Sequence, residues 1–150
     1  HIHEKIDFTV EVFIVYKDKV LLRFHDKYKI WLSVGGHVEL NEDPNQAAMR
    51  EVKEEVGLDV QLTDNLLAFS DSTEQCKELI PPQFLNIHRI NDSHEHITLG
   101  YFATASTDVV IPEKVDDQWK WLTSGELETM DLRPNIKFYA QKALKELGLK

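Results

Sequence analysis

The sequence predicts a single α/β domain of the α+β type, in which a mixed β-sheet is covered by one main helix on each face. The first observation is size, because 150 residues with 42% hydrophobic content suffice for one sizeable core. The second is a set of short segments rich in β-branched and aromatic residues, which are typical of strands. The third is a pair of amphipathic segments that each have a proline near the start. No linker, repeat or low-complexity stretch interrupts the sequence, so residues 1–150 are expected to form one domain.

The predicted strands are distributed along most of the chain. Ile6–Tyr16 is followed by a turn at Asp18 and by Val20–Phe24, so these two segments are expected to form a hairpin. Trp31–Val34 is a shorter strand that ends at a pair of glycines. The remaining predicted strands are Leu58–Ser70, Gln83–Ile90, His96–Ala105 and Trp119–Leu122.

Two helices are predicted, and the first has clear boundaries. Asp43 is a good N-cap, Pro44 suits the first helical position, and Gln46 completes a capping box. Gly57 tolerates the left-handed conformation that ends many helices. The second predicted helix is Pro134–Leu147. The apolar stripe of the first helix, which is expected to face the core, consists of Ala48, Met49, Val52 and Val56.

Three glutamates of the first helix, Glu51, Glu54 and Glu55, stand at positions i, i+3 and i+4. This spacing puts them on one flank of the helix, where like charges destabilise it by roughly 0.2–0.5 kcal/mol per pair. Mg²⁺ and Mn²⁺ prefer oxygen ligands of this kind, so a cation site is one interpretation. A glutamate-rich helix face is more commonly only solvated, and the spacing of the surrounding residues decides between the two.

The residues around the glutamates have a fixed spacing that resembles the Nudix box, G-x5-E-x7-R-E-U-x-E-E-x-G-U, in which U is bulky and aliphatic. The match runs from Gly36 to Leu58 and holds at every defined position, with Val52 as the first aliphatic residue. Val34 is a departure, because many family members have proline before the glycine pair. The order of apolar segments along the chain is also similar to the family. The resemblance implies a Nudix-type α/β/α sandwich.

The resemblance also implies roles for the box residues. Glu51, Glu54 and Glu55 occupy the family's metal-ligand positions, and the backbone carbonyl of Gly35 matches a further ligand. The expected cofactor is Mg²⁺, with Mn²⁺ as a substitute, which would polarise a phosphoryl oxygen and activate the water that attacks phosphorus. Glu54 is the expected general base among the three glutamates.

Other residues are expected to support this catalytic set. Arg50 resembles the family arginine that pairs with box glutamates, and Glu42 is its expected partner in a charge-assisted fork. Gly36 permits a close approach of the backbone. A further acid or base is expected from a later loop, where the candidates are Glu113, Asp116 and Asp117.

The substrate pocket is less visible in the sequence, and the candidates for substrate binding are Arg23, Gly36 and Phe84. Arg23 lies on a strand where relatives place phosphate-contacting side chains, although an exposed edge-strand arginine is an equally good interpretation. Phe84 could stack on a base, but aromatic residues on strands more often belong to the core. The run His94-Glu95-His96 could suggest a zinc site, but histidines in a turn are more often solvated.

Charge and composition restrict the classes of partner. The formal net charge of −9 argues against an extended nucleic-acid surface, which would normally be basic. It is compatible with a small phosphorylated substrate, because a bound cation would invert the local charge. No run of 18 apolar residues occurs, so no membrane-spanning helix is expected. The single cysteine, Cys76, excludes an internal disulfide and favours the reducing cytoplasm.

The leading hypothesis is a divalent-metal-dependent hydrolase that cleaves a diphosphate linkage in a nucleoside diphosphate joined to another moiety, with nucleoside triphosphates as members of that class. The alternative is a catalytically inactive nucleotide-binding or sensing module, which a loss of box glutamates would favour; none is lost. Isoprenoid diphosphate isomerase chemistry uses a cysteine in relatives, and Cys76 has no supporting context. Many relatives are dimers, so a homodimer is compatible with the resemblance.

Overall fold

The computed structural model describes residues 5–63 and 75–149. Within these ranges the strands and helices are, in chain order, β1 Ile6–Tyr16, β2 Lys19–His25, β3 Ile30–Leu32, β4 Val34–His37, α1 Pro44–Val56, β5 Val60–Leu62, β6 Phe84–Asn91, β7 His94–Ala105, β8 Trp119–Leu122, α2 Ser124–Thr129 and α3 Pro134–Leu147.

A mixed sheet is built around β1 and β7, which run parallel with Thr9 opposite Thr98. The other edge of β1 is shared by β4, which pairs near its start, and by β2, which pairs at its end. The far edge of β7 is shared in the same way by β6 and β5. β3 and β8 both pair with β2, and all pairings among the described strands except β1 with β7 are antiparallel.

The alternation of side chains along β1 produces the two layers of core. Val10, Val12 and Ile14 face α1 and join one buried cluster. Phe13 and Val15 point the other way and pack in a second cluster with residues of α3. Each fully buried aliphatic side chain contributes about 1.5–3 kcal/mol through removal of its surface from water. The predicted sandwich, a sheet with a helix on each face, is therefore confirmed.

The predicted boundaries of α1 are confirmed by the contacts at its ends. The Asp43 carboxylate accepts a hydrogen bond from the Gln46 backbone N–H at 2.8 Å, and the Gln46 side chain accepts one from the Asp43 N–H at 2.9 Å. At the other end Gly57 has φ 67°, a left-handed conformation that favours glycine, and its N–H donates to the Lys53 carbonyl at 3.0 Å. These caps satisfy backbone groups that a helix end would otherwise leave unpaired.

The predicted core stripe of α1 is wrong at one position. Met49 is 39% exposed, whereas Ala47 is fully buried with Val52 and Val56. Ala47 and Met49 lie about 100° to either side of Ala48 on a helix. The helix is rolled so that the side carrying Ala47 meets the sheet and the side carrying Met49 meets solvent. Glu51 and Glu55 project from the same side as Ala47, so the roll also brings them against the sheet.

Three other predictions of secondary structure need correction. The segment predicted as Trp31–Val34 is divided at Ser33, because β3 pairs with β2 whereas β4 pairs with β1. Of the predicted strand Leu58–Ser70 only β5 is present in the described residues, and residues 64–70 lie outside them. The short helix α2 was not predicted, although Thr123 and Glu126 form a capping box at its start.

Candidate active site

The site is assembled where α1 crosses the glycine pair of β4. Gly35 is opposite Glu11 in the pairing of β4 with β1, and its N–H donates to the Glu55 carboxylate at 2.8 Å. A Cβ atom on Gly36 would stand 2.3 Å from Oε1 of Glu51, which is closer than any side chain permits. The missing side chain of Gly36 therefore lets Glu51 lie directly against the strand, while Glu55 is held there by the backbone N–H of Gly35.

Arg50 connects the loop before α1 to the glutamates of the helix. Its Nε and Nη2 donate to the two carboxylate oxygens of Glu42 at 3.0 and 2.7 Å, so the predicted fork is present. Its Nη1 donates to Glu51 at 3.0 Å and to Glu54 at 3.2 Å. The hydrogen bond from Arg50 lowers the pKa of Glu42, and the same bond raises the pKa of Arg50. Arg50 therefore stays charged and fixes three carboxylates at once.

The three box glutamates differ in their surroundings. The side chains of Glu51 and Glu55 are only 14% and 13% exposed, whereas that of Glu54 is 54% exposed. Burial raises the pKa of Glu51, and the hydrogen bond and charge of Arg50 oppose this shift. The helix thus presents two carboxylates held against the sheet and one that reaches into solvent.

Arg23 links the box to a later loop. Its Nη1 pairs with the Glu55 carboxylate, and its Nη2 lies 3.5 Å from Oδ2 of Asp117. Of the predicted late carboxylates, Asp117 is thereby joined to the box, and Glu113 donates its backbone N–H to the Glu55 carbonyl at 3.3 Å. Asp116 is exposed and does not line the cavity beside the box.

An open cavity of about 710 Å³ adjoins the box. A second and larger groove of about 1200 Å³ is mainly apolar and contains none of the box glutamates, so size alone does not identify the site. The smaller cavity is the one that holds Arg23 and Glu55. The polar residues that line it include Thr9, Glu11, Arg23, Glu55 and Asp117.

Glu11 is a residue of this cavity that the sequence analysis did not single out. Burial raises the pKa of its carboxyl to about 7, and the Ser33 hydroxyl opposes the shift. A pattern in the sequence could have indicated it, because Asp7, Thr9 and Glu11 alternate with apolar residues along β1 and so share one face of the strand. Polar residues on one face of an otherwise apolar strand indicate a polar cavity.

Phe84 lies away from this cavity, in contrast to its selection as a substrate-binding candidate. Its ring is stacked on Tyr139 of α3 with centroids 3.6 Å apart and lies 6.1 Å from the ring of Phe13. It fills the space that Gly100 leaves on the neighbouring strand, where a Cβ would overlap the ring. The structure therefore places Phe84 in the core beneath α3, which was the other interpretation of this residue.

The donor set of the box fits a hard divalent cation in chemistry and charge. All its side-chain donors are carboxylate oxygens, which such cations prefer. Among the described residues, the carboxylates of Glu42, Glu51, Glu54 and Glu55 are paired with two guanidinium groups, those of Arg50 and Arg23, so the ionised carboxylates outnumber the positive charges. Arg23 is also shared with Asp117. The carboxylates do not, however, form a set within 4.8 Å in the described part of the chain. Glu55 is turned toward Arg23 and the others toward Arg50, so shared ligation requires rotation of their side chains.

Comparisons with known proteins agree with this geometry. The NUDIX domain family matches residues 7–145, and the chain belongs to this family. A structure of a NUDIX family hydrolase from Clostridium perfringens is 39% identical, with a TM-score of 0.86, and the match covers 94% of this chain and 97% of that one.

Two further relatives carry a more specific name. A dihydroneopterin triphosphate diphosphatase from Haemophilus influenzae is 35% identical over 89 residues, which are 57% of this chain and 55% of that protein. The match thus spans about half the length of this curated relative. The structure of the E. coli dihydroneopterin triphosphate pyrophosphohydrolase has a TM-score of 0.61 at 20% identity and covers 96% of this chain and 97% of that one, which supports the fold alone.

Proposed function

We propose that this protein is a divalent-metal-dependent pyrophosphohydrolase that cleaves a diphosphate linkage in a nucleoside triphosphate or a related nucleotide. The observation that carries the proposal is the contact of Glu51 and Glu55 with the backbone at Gly36 and Gly35. A solvated helix face, the competing interpretation, would leave these side chains exposed. Their burial against the sheet, with Glu55 lining a polar cavity, instead indicates a preorganised anionic site.

The residues present would divide the chemistry between them. A divalent cation bound by Glu51, Glu54, Glu55 and the Gly35 carbonyl would neutralise phosphate charge and polarise a phosphoryl oxygen. Glu54, the most exposed of the three, is assigned as the base that takes a proton from the attacking water. The oxygen of that water bonds to phosphorus as the P–O bond to the bridging oxygen breaks, and a phosphate or pyrophosphate group leaves.

The remaining residues would orient this set or bind substrate. Arg50 and Glu42 are assigned to hold the loop between β4 and α1, since their fork also anchors the His37 carbonyl at 3.0 Å. Arg23 is assigned to a phosphate of the substrate, because it lines the cavity and already contacts carboxylates there. An incoming phosphate would compete with Glu55 and Asp117 for its guanidinium group.

The cavity limits the size of the substrate, and the relatives add one candidate to those predicted from the sequence. A cavity of about 710 Å³ suits a nucleotide-sized ligand. The pterin triphosphate named for the Haemophilus influenzae relative resembles a nucleoside triphosphate in its phosphate chain, and so it belongs among the substrates to be tested. The test panel also contains canonical and oxidised nucleoside triphosphates, ADP-ribose, nucleotide sugars, dinucleoside polyphosphates and triphosphorylated or capped RNA.

The decisive experiment measures phosphate and pyrophosphate release from this panel with Mg²⁺, with Mn²⁺ and with EDTA. Glu54→Gln is the test variant because its exposed side chain can be changed without disturbing the core. We expect turnover of one substrate class that requires metal and falls on the order of 100-fold or more in Glu54→Gln. Glu146→Gln, which changes a glutamate on α3 outside the site, is the matched control and should keep full activity.

Two other outcomes would count against parts of this proposal. Metal-dependent nucleotide binding without turnover of any substrate would indicate a sensing module, against which the complete set of box glutamates argues. Equal turnover in Glu54→Gln and in Glu146→Gln would contradict the assignment of Glu54.

We further propose a cytoplasmic location, which the single cysteine favours. The homodimer stays a prediction, and light scattering of the protein in solution would test it. Within residues 5–63 and 75–149, no helix has the length and hydrophobicity that a membrane crossing needs.

A further inference from the structure

A cluster of one aspartate and three histidines lies on the sheet beside the box. Asp7 is on β1, His37 ends β4, and His94 and His96 are on β7. The strand pairings bring them together, because Asp7 is opposite His96 in the parallel pair and His37 is opposite Thr9, two residues after Asp7. Asp7 and Thr9 share a face of β1, so the imidazoles of both neighbouring strands meet the Asp7 carboxylate on that face.

The distances within this Asp-His cluster are those of groups that converge on one point. One potential ligand atom from each of Asp7, His37 and His96 lies within 4.8 Å of the other two. Nε2 of His37 is 3.5 Å from Oδ2 of Asp7, and the rings of His37 and His96 are 4.8 Å apart and nearly perpendicular. Nε2 of His94 lies 2.9 Å from the same Asp7 oxygen.

A purely structural interpretation is that the histidines only serve as polar partners of the buried Asp7 carboxylate. Asp7 is 4% exposed and needs polar partners, and Nε2 of His94 is in close contact with its Oδ2. One imidazole is enough for that purpose, yet His37 and His96 also converge on the same place.

We propose that Asp7, His37 and His96 bind a transition-metal ion of the Zn²⁺ class, and that His94 orients the Asp7 carboxylate. Two nitrogens and one oxygen are a donor set for Zn²⁺ or Co²⁺, in contrast to the all-oxygen set of the box. In a tetrahedral Zn²⁺ site the ligand atoms are about 3.3 Å apart, so side-chain rotations that move them by roughly 1–1.5 Å complete the site. A hydrogen bond from a neighbouring residue to a ligand is the usual way to fix its orientation.

The cluster borders both cavities, since Asp7 and His37 line the larger groove and two of its histidines line the cavity beside the box. His37 and His96 line that cavity together with Gly35, Gly36 and Glu55. The carbonyl of His37 also accepts a hydrogen bond from Nη2 of Arg50 at 3.0 Å. A cation on the His37 imidazole would therefore hold the end of β4 in the position in which Arg50 binds it.

The test is a titration of the full chain with Zn²⁺ by calorimetry and with Co²⁺ by visible absorption, in excess Mg²⁺ that competes for the box carboxylates. We expect one ion per chain, with the intense visible bands of a tetrahedral Co²⁺ site. His37→Ala and His96→Ala should each weaken binding at least tenfold, since the loss of an outer hydrogen-bonding partner alone costs 10–100-fold. His94→Ala, which removes such a partner, should weaken it by about 10–100-fold and keep the tetrahedral bands.

Matched variants separate this site from the histidines on β2 and at the start of the sequence, and from the box. His25→Ala removes a histidine that stacks on Tyr28 outside the cluster, and a double change of His1 and His3 to Ala controls for the start of the sequence. Both should bind Zn²⁺ as the wild type does, and so should Glu54→Gln. Binding that persists in His37→Ala and His96→Ala would overturn the proposal, as would its loss in either control.

Folding and catalysis are read separately in this test. Each variant is first compared with the wild type by circular dichroism without metal, which shows whether it folds. If a variant does not fold, the site is tested on the wild type instead, whose Tm should rise with Zn²⁺ and fall back when EDTA is added. No rise in the wild-type Tm would then also count against the site. The readouts are binding and spectra, so they stand whether or not the proposed hydrolysis is found.

Discussion

At Gly36 the strand backbone lies against the carboxylate of Glu51, and this contact leaves no room for a side chain. Gly36→Ala should displace Glu51 and so lower kcat/KM by about 10–100-fold, as the loss of positioning contacts does at metal sites. The concentration of Mg²⁺ needed for half-maximal activity should rise as well. Steady-state assays across a Mg²⁺ series measure both quantities.

Gly125→Ala is the control for this change. A Cβ atom at Gly125 meets nothing within 4 Å, so its activity and its Mg²⁺ requirement should equal those of the wild type. If Gly36→Ala also behaved like the wild type, the Glu51 carboxylate would not need its observed position.

The sequence predicted the residues of the box better than their partners. The fork between Arg50 and Glu42 was predicted because both positions belong to one motif with fixed spacing. Arg23 was a candidate, but its contact with Glu55 depends on where α1 is placed relative to β2 in the folded chain, which no local pattern specifies. The Asp-His cluster was missed as a whole because its members come together only through strand register. His94 and His96 had been considered as zinc ligands but were expected in a solvated turn, whereas they lie on β7.

The roll of α1 about its axis connects core packing to the site, because it decides which side chains face the sheet. Val52→Asp should reduce the free energy of unfolding by at least about 4 kcal/mol, since it buries an unpaired charge. Met49→Asp, three residues away on the same helix, should cost less than about 1 kcal/mol because Met49 reaches solvent. Urea denaturation of both variants measures the difference. Similar losses in the two would mean that the helix faces the sheet differently.

Elements were predictable where local chemistry determines them. The N-terminal cap of α1 consists of side chains within three residues of the helix start, and its C-terminal cap is a single glycine. The proline at the start of α3 acts on its own backbone. The division between β3 and β4 was not predictable, because it results from two different pairing partners, β2 and β1. The short helix α2 has a capping box but only six residues, too few for a periodic apolar pattern.

At the scale of the whole molecule, the raised pKa of Glu11 predicts how the free energy of unfolding depends on pH. Burial raises its pKa from 4.5 to about 7 in the folded protein, so between these values the folded state holds a proton that the unfolded state has released. The contribution of Glu11 to stability is therefore fully present below pH 4.5 and is lost as the pH rises to 7, by a total of about 3 kcal/mol.

Glu11→Gln removes this titration. The difference in free energy of unfolding between Glu11→Gln and the wild type should therefore change in favour of the variant by roughly 3 kcal/mol between pH 4.5 and pH 8. Urea denaturation of both proteins in EDTA at several pH values measures the difference, and EDTA keeps cations away from the neighbouring Gly35. A difference between the two proteins that stays constant with pH would show that Glu11 is already ionised in the folded state.

The parallel pairing of β1 with β7 also determines how early the central sheet can fold during synthesis on the ribosome. Thr9 and Thr98, whose hydroxyl groups are hydrogen-bonded at 2.8 Å, are 89 positions apart in the chain. A ribosome adding roughly 5–20 residues per second needs on the order of 5–18 seconds to cover that distance. β1 therefore emerges from the exit tunnel well before its central partner, and the box helix is also made before that partner appears. The period of greatest exposure to chaperones and to aggregation therefore ends only with the emergence of β7.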